Sequence, residues 1–390
     1  MHSLDVERRT KAATVTSAPR PVSRTCVLIN AVHARSGGGV TYLRNILPLL
    51  AKDPRLDLHL FLFESQIEIF HPIDQNVRVH AFEDIVGSLW MMAWEQLALP
   101  ILGRIMGVDV IFSPANFGCL LSSRNVILLR NALSVIRVES RPSRWLYWGA
   151  LTLATSLSIL RSKKVIAVSR YAAKVTYGLA RVPASKTTVV YHGVSPRFMP
   201  APEIVRERFI LIVADIYVQK NLLKFFSAAE KICRRYPDIR IKVVGAPIDP
   251  WYYKQVLSLI ERLGINEQVE FLGWQPVERI LDLYRRCLFL VFPSTAETFG
   301  NPLVEAMACG TAIACSHASA MPEIVADAAV LFDPFDPHSI ADACLKLIES
   351  EELRAELSAR GIARSKMFLW DKSGHSVANI LVEVGESIKK

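Results

Sequence analysis

The stretch 287–325, CLFLVFPSTAETFGNPLVEAMACGTAIACSHASAMPEIV, decides how the rest of the chain is read. Cys287 to Phe292 is a short apolar run without polar alternation, the pattern of a strand buried on both faces of a parallel sheet. Pro293 and Ser294 end it. Asn301 suits a helix N-cap, Pro302 the first turn and Gly310 the C-terminal stop. Between strand and helix lies a polar loop, 295–300. Backbone N–H groups near Phe299, Gly300 and Asn301 then point outward at a helix N-terminus, where an anion binds well. Glu297 stands in the loop and Glu305 one turn into the helix. Two carboxylates beside an anion site make sense when the ligand also carries hydroxyls, with phosphates for the helix end and sugar and ribose hydroxyls for the acids. The plainer reading is a pair of surface acids favoured by the helix dipole.

The flanking residues favour the first reading. ETFGNPLVEAMACGT (297–311), MPE (321–323) and AAVLFDPFDP (328–337) together resemble the E-x7-E region of the retaining GT-B glycosyltransferases, glycosyltransferase group 1 (GT4-type). The resemblance implies two Rossmann-like doubly wound α/β domains with the active site in the cleft between them. It carries Glu297 onto the donor sugar and Glu305 onto the ribose. It implies transfer of a hexose, mannose among the candidates, from a nucleotide diphosphate sugar to a glycan or lipid-linked acceptor with retention. Bacterial surface polysaccharide or glycolipid synthesis is the setting the family suggests.

The chain has 390 residues, 51% hydrophobic and 21% charged, which describes a globular protein of two or three domains. Its net charge of +9 is uneven: residues 1–200 hold 24 Lys and Arg against 12 Asp and Glu. The first half is therefore the expected contact for an anionic partner, a phospholipid surface or a lipid-phosphate acceptor. No aromatic-basic signature supports nucleic-acid binding. The seven cysteines form no C-x-x-C pair and no signal peptide is evident, so free thiols and a cytoplasmic protein, peripheral at the inner face of the plasma membrane, are expected. Trp145 to Leu160, between Arg144 and Arg161, is too short to span a bilayer. It reads either as a buried helix or as one lying at the membrane interface.

From the N-terminus, 1–24 reads as a loose tail. CVLINA (26–31) is a buried strand, and Gly37, Gly38 and Gly39 lead from it into a helix. Such a loop lets backbone N–H groups approach a ligand. It is neither G-x-G-x-x-G nor a Walker loop, so no dinucleotide fingerprint is present. Strand-like runs at 56–63, 77–82, 108–112, 126–129 and 164–168 alternate with helical patterns, including 89–105, as in a doubly wound sheet. Loops 113–118 and 130–134 should line the cleft. Domain limits follow at 25–198 for the acceptor side, 199–208 for a Pro-rich linker and 209–366 for the nucleotide-sugar side. Residues 367–390 form a terminal helix, which the resemblance sends back to the first domain.

The resemblance also places Gly38 and Gly39 facing the donor and Lys220 on its phosphates, with Gly245 ending a strand beside them. Two departures stand out. Where many family members carry a His near the reacting carbon, this chain has Asn131, preceded by Arg130. Asn131 is taken as a catalytic-site residue that positions substrate, since an amide is no base at neutral pH. The arginine that usually accompanies the lysine is absent, Asp215 or Gln219 standing there. His192, in a His-Gly turn, reads as a turn residue. No D-x-D motif calls for a metal and no cofactor is implied. The catalytic set is thus Glu297, Lys220 and Asn131. A GT-B sugar-nucleotide epimerase and a non-catalytic sugar-nucleotide-binding protein are the alternatives.

Overall fold

The computed structural model of the chain describes residues 24–35, 37–85, 87–130, 139, 141–180 and 182–389. Asn131, the rest of the loop expected at 130–134 and the tail before Arg24 lie outside the described residues. The first half folds as seven strands: β1 (Thr25–Asn30), β2 (Leu56–Phe63), β3 (Val77–Phe82), β4 (Val110–Ser113), β5 (Asn125–Leu129), β6 (Lys164–Ala167) and β7 (Thr187–Val189). They lie in the order β3-β2-β1-β4-β5-β6-β7, every pairing parallel. The second half adds β8 (Phe209–Val213), β9 (Arg240–Val244), β10 (Val269–Gly273), β11 (Phe289–Phe292), β12 (Ile313–Ser316) and β13 (Val330–Phe332). Their order is β10-β9-β8-β11-β12-β13, again parallel throughout. Val27, Leu28 and Ile29, and likewise Leu290 and Val291, have no solvent exposure. Helices cover both faces of each sheet, so these strands carry apolar residues without alternation.

The helices of the first half are α1 (Gly37–Ala51), α2 (Ile67–Phe70), α3 (Ser88–Ala93), α4 (Leu99–Ile105), α5 (Pro142–Arg161) and α6 (Arg170–Ala180). A π-helical turn, Trp94–Ala98, joins α3 to α4, so the helix expected at 89–105 is one rod with a wide turn inside it. In the second half are α7 (Leu222–Arg235), α8 (Pro250–Leu263), α9 (Val277–Arg286), α10 (Asn301–Ala308), α11 (Met321–Val325), α12 (Pro337–Glu349), α13 (Glu351–Ser365) and α14 (Trp370–Lys389). Their starts follow local capping chemistry. Asp249 accepts from the Tyr252 N–H before α8, Asp336 from His338 before α12 and Ser350 from Leu353 before α13. At α10 the expected cap is corrected by one residue. Gly300, at φ 94°, is the N-cap, and Asn301 is the first helical residue, its side chain freed for another partner.

Helix α14 packs on α1 and against β1 and β4, beside the first sheet. Its start is fixed there by Ser373 Oγ, which donates to Tyr191 O at 2.5 Å. Just before it, Val194 pairs with Leu369 in a parallel bridge. The chain therefore passes between the two halves twice, side by side. Helix α5 corrects the buried-helix reading of 145–160: Trp145, Tyr147, Leu153, Leu157 and Leu160 are all more than two-fifths exposed. Among the described residues, no helix is long and apolar enough to cross a membrane.

Candidate active site

Strand order reverses between β1 and β4 and between β8 and β11, and open parallel sheets bind ligands outside the carboxyl ends of the strands at that point. The two sheets turn these ends toward each other. Thr298 Oγ1 donates to Arg130 O at 2.6 Å, and Ser169 Oγ donates to Thr298 O at 2.6 Å. The Glu323 carboxylate accepts the first N–H groups of α6, from Arg170 at 2.7 Å and Tyr171 at 2.9 Å, and the Tyr191 hydroxyl at 2.8 Å. On the other side Arg141 makes a two-pronged pair with Asp249, at 3.1 and 2.6 Å, and stacks over Trp251. A cavity of about 510 Å³ lies between the halves. The first half lines it with Gly37 and Gly38 at the start of α1, Arg130 after β5 and His192 after β7. From the second half come Asp215, Tyr217 and Lys220 after β8, Gly245 after β9, Trp274 after β10, and the 297–302 loop with Glu305.

Lys220 is no solvated loop charge. It closes a 3-10 turn and is 8% exposed. The next residue, Asn221, takes a left-handed conformation at φ 57° and donates to Pro293 O at 3.1 Å and Pro334 O at 2.7 Å, which ties the turn to the ends of β11 and β13. Lys220 Nζ lies 2.6 Å from Glu297 Oε1 and beside the rings of Tyr217 and Phe292. Burial pulls its ammonium down, but Glu297, Tyr217 and Asp215 outweigh this and hold it above the ordinary lysine value. Lys220 is therefore charged, and Glu297 answers its charge.

Glu305 sits in the cavity wall, and Tyr284 Oη donates to its Oε2 at 3.0 Å. Burial raises its carboxyl to about 7, the Tyr284 hydrogen bond opposing. Gly245, at φ 145°, lines the cavity too, but its missing side chain has a nearer cause. A Cβ there would overlap Ala214 O at the end of β8. The adjoining Ala246 N–H donates to Asp215 Oδ1 at 2.9 Å.

Two residues of the first half enter the site: Arg130, from the loop expected to line the cleft, and His192, which sequence reasoning did not place there. Arg130 reaches the cavity over Gly39, where a Cβ would overlap the guanidinium. Gly39 thus makes room for Arg130, while Gly37 and Gly38 line the cavity. Among the described residues the Arg130 guanidinium has no carboxylate partner, its Nε is buried without an acceptor, and burial lowers its basicity. His192, read from sequence as a turn residue, is 5% exposed and faces Asn301 Oδ1 across 3.1 Å. It packs against Phe299 and Trp370 with ring centroids at 5.0 and 5.7 Å. Burial drops its imidazole to about 4, the Asn301 hydrogen bond opposing and the Arg130 charge adding to the drop. It is neutral at pH 7. With Nδ1–H directed to Asn301, the buried Nε2 is left as an acceptor with no donor among the described residues.

Two helix N-termini, those of α1 and α10, open on the same cavity, and with Lys220 and Arg130 they make its floor electropositive. Glu297 and Glu305 supply acceptors at its edges. One group of metal-ligating side chains among the described residues, Cys26, Asp57 and His59, lies at the opposite, N-terminal ends of β1 and β2. Arg78 Nη1 stands 3.4 Å from both Asp57 Oδ2 and His59 Nε2, so a cation already serves that cluster.

The family model for glycosyl transferases, group 1, matches residues 196–364. The uncharacterized glycosyltransferase MJ1178 of Methanocaldococcus jannaschii is 26% identical over 375 residues, 92% of this chain and 99% of the relative. O-antigen chain mannosyltransferase B of Escherichia coli is 26% identical over 229 residues, 55% of this chain and 59% of its own length. Among solved structures, Anabaena HepE in complex with UDP and glucose aligns with a TM-score of 0.73 at 21% identity, covering 91% of this chain and 98% of that one. WaaG, a glycosyltransferase involved in lipopolysaccharide biosynthesis, gives 0.71 at 14% identity, covering 91% and 99%. At these identities the structural likeness concerns the fold.

Proposed function

From a chain that belongs to the group 1 glycosyl transferases and folds as GT-B, we propose a retaining hexosyltransferase that takes its sugar from a nucleotide diphosphate donor. One observation carries this reading: a single cavity holds one buried and one half-buried cation, two helix N-termini and two carboxylates, drawn from both halves. Anionic and hydroxyl-rich parts of one ligand answer that mixture. The diphosphate would rest on the N–H groups of Phe299, Gly300 and Asn301 and on those of Gly37 and Gly38. Lys220 and Arg130 would take the charge that grows on it as the glycosidic bond breaks. Glu297 would accept from sugar hydroxyls, its hold on Lys220 loosening as phosphate arrives. Glu305 would accept from the ribose, and the exposed Trp274 at the mouth offers an aromatic face to the base. Positive charge from the protein suits a reaction that runs without a metal, and activity should survive chelation.

We further assign residues 25–198 to the acceptor side, 199–208 to the linker and 209–366 to the donor side. That acceptor is taken to be a glycan or a lipid-linked glycan, in keeping with what the Escherichia coli relative and WaaG are named for. Asn131 keeps its sequence-based role as a positioning residue. The test is a calorimetric and thermal-shift screen of nucleoside diphosphate sugars against the intact chain, repeated with Glu305→Ala. One sugar nucleotide should raise the melting temperature, and Glu305→Ala should abolish the rise. Incubation with that donor, with and without acceptors, then separates transfer from epimerisation. Binding of no donor by the folded protein, or full transfer by both Glu297→Ala and Glu305→Ala, refutes the reading.

A further inference from the structure

The first sheet has a switch point of its own, between β1 and β4, and a histidine stands there that the donor site leaves unused. His33 lies in the loop that leaves β1 at Asn30 and enters α1 at Gly37. Its Nε2 is 3.0 Å from Glu95 Oε2, and the other oxygen of that carboxylate accepts from Asn30 Nδ2 at 2.7 Å. Glu95 is 1% exposed and sits in the π-helical turn between α3 and α4, a kind of widening that recurs at functional sites. The Cys119 thiol donates to the carbonyl of Glu95 at 3.0 Å and steadies that turn. From the other side Gln66, which has no solvent exposure, donates to Ala31 O at 2.9 Å and Ala34 O at 3.1 Å. Ala34 N–H closes the loop on Ala31 O at 2.8 Å. Three buried polar side chains, Asn30, Gln66 and Glu95, thus converge on one short loop and fix its geometry. The His33 side chain, 20% exposed, is the member of this network that reaches solvent.

With Glu95 accepting, the ring hydrogen is on Nε2, and Nδ1 is left as an acceptor with no donor among the described residues. Half-buried Phe117, in the loop after β4, meets the His33 ring edge-on with centroids 4.8 Å apart. An aromatic ring beside a hydrogen-bond acceptor suits a sugar, which offers apolar C–H faces and donating hydroxyls. The place is continuous with the donor cavity. Asn116, next to Phe117, accepts from Arg130 N–H at 2.9 Å, and Gly37 and Gly38, a turn beyond His33, line the cavity. We infer that His33 is an acceptor-binding residue. Its Nδ1 accepts a hydrogen bond from a hydroxyl of the acceptor sugar, Phe117 lies beside that sugar, and Glu95 is the positioning residue that turns the ring. The assignment deepens the acceptor-side reading of residues 25–198 and rests on it. Were His33 there only to satisfy Glu95, a glutamine would serve as well, since its amide also donates. His33→Gln is therefore the discriminating variant: it keeps a donor for Glu95 and removes Nδ1.

The experiment is long-range proton–nitrogen correlation of the histidine rings in the full chain, the His33 signals being identified by their loss in His33→Gln. They should show the hydrogen on Nε2. The Nδ1 signal should move on addition of one of methyl α-mannoside, methyl α-glucoside or methyl α-galactoside. His33→Gln should bind that glycoside about 2–10-fold more weakly, the worth of one hydrogen bond, at unchanged melting temperature and unchanged calorimetric affinity for sugar nucleotides. In transfer, the acceptor KM should rise while hydrolysis of the donor by water stays as it was. Glu95→Gln should cause part of the same acceptor loss and add nothing to His33→Gln. Hydrogen on Nδ1, no response to any of the glycosides, or equal glycoside affinity in His33→Gln overturns the inference. Should His33→Gln fail to fold, Phe117→Leu takes its place in the glycoside titration, and an unchanged affinity there overturns it too. A chain that binds a glycoside but no sugar nucleotide defeats the donor reading and leaves this site standing; the converse defeats this site alone.

Discussion

Replacing Arg130 with methionine should move stability and ligand affinity in opposite directions. Among the described residues the half-buried Arg130 guanidinium has no carboxylate partner, and its buried Nε has no acceptor. A buried donor left unsatisfied costs roughly 1–3 kcal/mol. Methionine keeps much of the side chain's length over Gly39 and removes that cost. A gain of about 1 kcal/mol in a domain of this size corresponds to a rise in melting temperature of about 2–4 °C. With a diphosphate bound, the variant forfeits a charge-assisted contact worth about 1.5–3 kcal/mol, or about 10–150-fold in Kd. The assay is calorimetry and thermal melting with UDP, UMP and uridine, or the matching series of whichever base binds. The loss should be greatest for the diphosphate and smallest for the nucleoside, and Arg130→Lys should recover part of it. A variant that melts lower and binds the diphosphate as tightly as before would show that Arg130 is a packing residue and that the charge argument is mistaken.

Two further outcomes follow from the same geometry. Ribose hydroxyls donate to an ionised carboxylate, and Glu305 is held near 7 by burial, so donor affinity should fall by up to about tenfold per pH unit below about 7 and level off above it. Glu305→Gln should flatten that profile, as read by calorimetry from pH 5.5 to 8.5. In the free protein the sign is reversed, because a carboxyl raised above its unfolded value holds its proton longer when folded. Its contribution favours folding at about pH 4–5 and is lost as pH rises toward 7, so Glu305→Gln should gain on the intact chain in melting temperature as pH rises through that window. Gly193 meets the backbone of Trp370, which a Cβ would overlap. Gly193→Ala should cost about 1–3 kcal/mol in denaturant unfolding, and an unchanged midpoint would argue against the close contact at the start of α14.

Much of the architecture was legible because parallel strands covered on both faces leave a distinctive record. FILIV (209–213) and FLVF (289–292) contain nothing else a strand of that kind would not carry, and both emerge as central strands. The loop from Glu297 to Asn301 was legible for a similar reason, since a strand, a short polar loop and a helix start are local events. What escaped were relations between distant residues. Lys220 and Glu297 are 77 positions apart, and no local pattern says that they pair. Arg130 enters the site only because Gly39, from another crossover, leaves space for it. The turn at His192 was visible, but its burial against Phe299 and Trp370 depends on α14 returning to the first sheet. Periodicity also cannot tell a covered stripe from an open one, so α5 was equally readable as a core helix until its neighbours were known.

The paired crossing at Val194 and Leu369 constrains how the cleft can move. Val194 N–H donates to Phe368 O at 3.0 Å, so the two connections are joined by backbone hydrogen bonding. A single connecting strand would let the halves swivel and twist freely. Two strands laced together behave as the spine of a book, leaving one easy motion, opening about the spine's own axis. The Arg141–Asp249 ion pair joins the two covers and would have to part as such a book opens. Ligand arriving between the covers would be met by both faces along one arc, with Arg130 and Lys220 returned to the same separation at every closure.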